Sequence, residues 1–142
     1  MAKHTVYFLS SKQHRSLMAE IWTHQLELHD WDIKSAAWEK PSITETPIEI
    51  LKEVLIQLPD YEPRQYNPEE VNNADLIVAL YDGDIQRQSV PPDLSSQRVI
   101  HWNIQDPEQH ATDSHDRWAA YQEVCDEIAM QVKEMEPLFR SI

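Results

Sequence analysis

Seven consecutive residues near the N-terminus, Ser10-Ser11-Lys12-Gln13-His14-Arg15-Ser16, have the types and spacing of an anion site. An arginine guanidinium grips an oxyanion through two parallel N–H bonds. Lys12 and His14 bring further positive charge beside Arg15. The run follows an apolar strand and opens an apolar-striped helix, so backbone N–H groups and the positive end of the helix dipole face it. Asp106, ahead of Pro107, is a carboxylate that can approach the same place. The plainer alternatives are that Arg15 pairs with a local carboxylate and that Asp106 caps a turn. Ser10 or Ser16 with His14 also suggests a Ser-His pair. Near neighbours in one loop rarely align for proton transfer, and no orienting carboxylate is evident beside them.

The elements that must hold these residues follow from periodicity. Residues 5–9 read as a strand, 10–14 as a polar loop, and 15–28 as a helix with Leu17, Met18, Ile21, Trp22 and Leu26 at helical spacing. A second strand is expected over 31–37, then a proline-containing loop over 40–47. Thr44 or Thr46 is placed to cap a helix running to residue 57. Residues 58–68 carry three interrupting prolines and read as loop, followed by a short helix over 68–72. Leu76-Ile77-Val78-Ala79-Leu80 is continuously apolar, the pattern of a central parallel strand covered on both faces. A long loop over 82–96 precedes a strand over 98–102. Asp113 or Ser114 then caps a helix to residue 138, with Trp118, Tyr121, Val124, Cys125, Ile128 and Val132 as its apolar stripe. Strands alternating with helices imply an α/β fold with a parallel sheet and right-handed crossovers. In such sheets ligands sit beyond the carboxyl ends of the strands, where strand order reverses. The loop after the first strand is the natural candidate.

The composition narrows the function classes. A chain of 142 residues suits one domain, residues 1–142, with a single core. Twenty-five acidic against twelve basic residues give a net charge of -13, which argues against nonspecific nucleic-acid binding and against an anionic membrane surface. The single glycine, Gly83, excludes both glycine-rich nucleotide loops. The single cysteine, Cys125, falls on an apolar helical stripe and reads as core packing. It has no partner for an internal disulfide, which suits a reducing cytosol. The N-terminus lacks a signal-peptide core and no segment is long and apolar enough to span a bilayer, so the expected location is cytoplasmic. His110, Asp113, His115 and Asp116 lie close together but fit a capped helix start, so no metal is expected.

The sequence Tyr7-Phe8-Leu9-Ser10-Ser11-Lys12-Gln13-His14-Arg15-Ser16-Leu17-Met18-Ala19-Glu20 resembles the active-site loop of the low-molecular-weight tyrosine phosphatase and thioredoxin-coupled arsenate reductase family. The resemblance extends through Asn72-Asn73-Ala74-Asp75-Leu76-Ile77-Val78, through His101-Trp102-Asn103-Ile104-Gln105-Asp106-Pro107 and through the final helix from Arg117 to Ile128. Trp102, and the absence of a tyrosine after Pro107, place it nearer the reductase branch. The resemblance implies a three-layer, flavodoxin-like fold around a four-stranded parallel sheet. It also implies a cysteine nucleophile where the first strand ends, an arginine clamp and an aspartate acid. Here Ser10, Arg15 and Asp106 occupy those positions. The family places five residues between cysteine and arginine; four separate Ser10 from Arg15, so either the loop is one residue short or the nucleophile position is Leu9, and neither supplies a thiol. No relay cysteine follows the central strand in Leu80-Tyr81-Asp82-Gly83-Asp84-Ile85-Gln86-Arg87-Gln88.

The expectation is a catalytically degenerate relative, without cofactor and monomeric, that binds a phosphate- or arsenate-like oxyanion or a phosphorylated protein. Ser10 to Ser16 would form its anion site. A residual enzyme using a serine, and an interaction module without a small ligand, are the alternatives.

Overall fold

The computed structural model describes residues 3–39, 43–55, 57–83, 99–110 and 113–141. Its elements run β1 (His4–Ser10), α1 (Gln13–His24), β2 (Trp31–Ala37), α2 (Glu45–Val54), α3 (Pro68–Asn72), β3 (Leu76–Tyr81), β4 (Val99–Asn103), α4 (Pro107–His110) and α5 (Ser114–Ser141). The strands form one sheet in the order β2-β1-β3-β4, and every pairing is parallel. Successive side chains of a strand point to opposite faces. In β1, Val6 and Phe8 accordingly enter the larger core with α1, α2 and α5. Tyr7 and Leu9 enter a smaller core with Val71 of α3 and Tyr66. The three-layer α/β architecture read from the sequence is the observed one.

β3 is buried from Leu76 to Leu80, as its unbroken apolarity requires. The short helix over 68–72 forms with Asn67 at its N-cap, where the side chain accepts the amides of Glu69 and Glu70 at 3.0 and 3.4 Å. The last residues of α5 close the opposite end of the sheet. Trp31 Nε1 donates to Phe139 O at 3.0 Å, which satisfies a carbonyl that the helix end leaves without an intrahelical donor.

Several boundaries differ from the sequence reading; α2 stops at Val54 rather than residue 57, and α5 runs on to Ser141 rather than ending at 138. The first helix begins at Gln13, and only Ser11 and Lys12 separate it from β1. The polar loop over 10–14 is therefore mostly strand end and helix start, because tertiary hydrogen bonds hold the polar first turn. Helix α1 also ends at His24 rather than residue 28, and Glu27 follows at a φ of 54°. An additional helix, α4, follows Asp106. The expected start of β4 at Arg98 and most of the 82–96 loop lie outside the described residues.

Candidate functional site

Strand order reverses between β1 and β3, and the segments leaving the carboxyl ends of β1, β3 and β4 meet there. Arg15, in the first turn of α1, binds the segment after β4: its Nη1 donates to Ile104 O at 2.8 Å. Its Nη2 donates to Ser11 Oγ at 3.2 Å and lies 3.7 Å from Asp106 Oδ2. The Asp106 amide donates to Asp82 Oδ2, just past β3, at 2.8 Å. Arg15, Asp82 and Asp106 are all buried. Burial pulls the Arg15 guanidinium below its ordinary pKa, and the charges of Asp106 and then Asp82 hold it up.

The plainer reading of Asp106 as a cap is realised, while the carboxylate that Arg15 faces is Asp106 itself rather than a local one. Asp106 caps α4, its Oδ1 accepting the Glu108 amide at 3.0 Å. A cap and an anion clamp are compatible roles, since Asp106 turns its second oxygen toward Arg15.

The loop itself is packed inward. Of Ser10 to Ser16, only Lys12 is exposed. Ser10 Oγ donates to Lys12 O, lies 2.8 Å from Ser16 Oγ and accepts the Ser16 amide at 3.1 Å. It thereby does for α1 what an N-cap side chain does, since Lys12 at the N-cap makes no such bond. Ser16 Oγ is 3.3 Å from both Gln13 O and Ala36 O, tying the helix to β2. Gln13 turns away from the loop. Its Nε2 reaches Ser35 Oγ at 3.1 Å and Glu62 O at 2.9 Å, while its Oε1 accepts the Arg64 amide at 2.8 Å. That side chain is a clamp on the 62–64 segment. His14 Nδ1 lies 3.0 Å from Tyr121 Oη, which in turn donates to Glu108 Oε1 at 2.6 Å. The first turn of α1 carries no acidic residue, so its dipole is not offset from within. Clefts beside α2 and between α1 and the β2 edge are lined by residues outside this loop.

Asp82, Tyr121 and Glu108 were not legible as site residues. Asp82 had one signal, its place directly after the central strand at the switch point. Tyr121 sits on the apolar stripe of α5, where helical spacing reads it as core. Cys125 is buried in the main core, with Trp22 Nε1 at 3.4 Å from its sulfur, and burial pushes its thiol pKa up. Among the described residues no group of three metal-ligating side chains occurs, and no helix is long and apolar enough to cross a membrane.

A parallel 2-1-3-4 sheet with an arginine and a carboxylate meeting at its switch point defines a doubly wound α/β protein. The chain belongs to the low-molecular-weight phosphotyrosine protein phosphatase family, whose profile matches residues 5–140. It is 30% identical over 135 residues to an arsenate reductase of Staphylococcus aureus, covering 94% of this chain and 96% of that one. Among solved structures, it resembles an arsenate reductase in the phosphate-binding state with a TM-score of 0.66 and 19% identity, covering 99% and 98% of the two chains. It also resembles the arginine phosphatase YwlE, in a cysteine-to-serine mutant with a phosphorylated active-site serine, at a TM-score of 0.62 and 17% identity over 93% and 95%.

Proposed function

We propose that this chain is a catalytically silent member of its family that binds an oxyanion or phosphorylated group at Ser10–Ser16 and Arg15. The observation that carries this reading is where sulfur lies. The one cysteine, Cys125, is buried on α5 beside Trp22, and the loop between β1 and Arg15 contains none. Ser10 stands where the resemblance places the thiol. A serine is a poor nucleophile without an adjacent base. Its oxygen here accepts the Ser16 amide, which occupies one of its two lone pairs. The retained arginine, the acid-free helix start and a structural relative in a phosphate-binding state support anion binding. The test is a phosphate titration of the ¹⁵N-labelled chain beside an assay on an aryl phosphate. The expected outcome is saturable shifts confined to the amides around Ser10–Ser16, with no phosphate released. Arg15-dependent turnover would refute silence, and unmoved amides would refute binding.

One observation favours a second reading. The YwlE relative carries phosphate on a serine at its active site. Ser10 would be the matching acceptor in this chain. Mass spectrometry after incubation with an aryl phosphate decides it: a phosphoserine at residue 10 supports a residual, trapped half-reaction, and an unmodified peptide removes it.

A further inference from the structure

His14 is 6% exposed, and its Nε2 is buried without a hydrogen-bond partner. Which nitrogen carries the proton follows from its neighbours. The Tyr121 phenol has one proton, and Glu108 Oε1 at 2.6 Å can only accept it. Thr44 also hydrogen-bonds the phenol, and a bare Nδ1 at 3.0 Å would set its lone pair against those of the phenol oxygen, so the contact favours His14 Nδ1 as a second donor. In the neutral ring this leaves Nε2 as a bare lone pair. Burial favours that neutral ring, opposed by Glu108 and Asp106 and reinforced by Lys12 and Arg15. An unmet buried acceptor is costly, and native proteins keep few of them. This one sits next to Arg15 in the first turn of α1, within electrostatic reach of Arg15, Lys12 and Asp106.

A second observation concerns charge. Arg15 already faces Asp106 at 3.7 Å and feels Asp82. An incoming anion with acceptors only would meet two carboxylates and a lone pair. An anion that brings an O–H group has in Nε2 an acceptor it can serve.

We infer that His14 is a specificity-determining residue, whose Nε2 accepts the proton-bearing oxygen of a hydrogen oxyanion, so that the loop takes phosphate or arsenate and rejects sulfate. Near neutral pH, phosphate and arsenate keep at least one proton and sulfate keeps none. A site built to bond a hydroxyl rejects an analogue lacking it, because its own polar groups are left unpaired. The inference rests on the oxyanion reading above, and the experiment separates the two.

The experiment is calorimetric titration of the full chain at pH 7 with phosphate, arsenate and sulfate at matched ionic strength. Phosphate and arsenate are expected to bind at least about tenfold more tightly than sulfate. His14→Phe should bring the ratio to within roughly twofold. Equal wild-type affinities would overturn the selection and leave anion binding standing; binding of none would overturn both. A wild-type measurement covers the case in which the variant does not fold. The ¹⁵N resonance of His14 Nε2 should move on saturation with phosphate and stay fixed with sulfate. A resonance unmoved by bound phosphate would overturn the role of His14.

Discussion

Arg15 shows how one buried side chain can join segments far apart in the chain. Its guanidinium ties the end of β1, through Ser11, to the segment after β4, through Ile104 and Asp106. Such an ion is retained in the interior only when partners replace its water. His14 is the opposite case, a buried base with one nitrogen unpaired. Its pKa in the folded chain lies below 6.5, chiefly through burial. Above 6.5 the ring is neutral both folded and unfolded, and it imposes no penalty. As pH falls below that value the unfolded chain takes the proton first, so stability drops until the folded pKa is passed. Glu108 and Asp106 favour the charged ring and shrink the effect; Lys12 and Arg15 enlarge it. The urea midpoint should therefore fall between pH 7.5 and 5.5, and His14→Phe should flatten that fall. An unchanged slope in the variant would assign the titration to other groups.

At the scale of elements, the strands and the long helix were legible and the start of α1 was not. Leu76 to Leu80 could only be an interior strand, and the stripe of α5 from Tyr121 to Val132 is buried as its spacing requires. The apolar period of α1 begins at Leu17, so nothing in it includes Gln13 or His14. Those residues join the helix because Ser10, Ser35 and Tyr121, distant in sequence or facing from other elements, bond to its first turn. The Asp106 cap created α4 from a segment too short to carry periodicity. Cys125 offers a test of how α1 and α5 pack, since Trp22 of α1 covers its sulfur. A burial-raised, enclosed thiol is a slow nucleophile. In native buffer, a disulfide exchange reagent should leave Cys125 essentially unreacted, with one equivalent released on unfolding in urea. Rapid native labelling would show that the two helices part readily.

The whole molecule is strongly acidic, with a net charge of -13 and a pI near 4.8. Self-repulsion of that size opposes compactness and is screened by salt, with a Debye length of about 10 Å at 0.1 M. Added sodium chloride should raise the melting temperature by about 2 to 4 °C, the response to roughly 1 kcal/mol in a chain of this length. A falling melting temperature would mean that attractive surface ion pairs such as Arg140–Glu136 dominate the balance.

The sequence by itself determined the fold class, the passage from a strand into a helix ahead of Leu17, and the absence of a loop thiol. These follow from local apolar periodicity and residue identity, which a linear text carries in full. Only the tertiary structure decided that Asp82 joins Arg15 and Asp106, that Gln13 clamps another segment, and that Tyr121 links His14 to Glu108. Those facts depend on which polar atoms meet across the sheet and between helices. Such meetings are fixed by the packing of the whole core, and no short stretch of sequence encodes them.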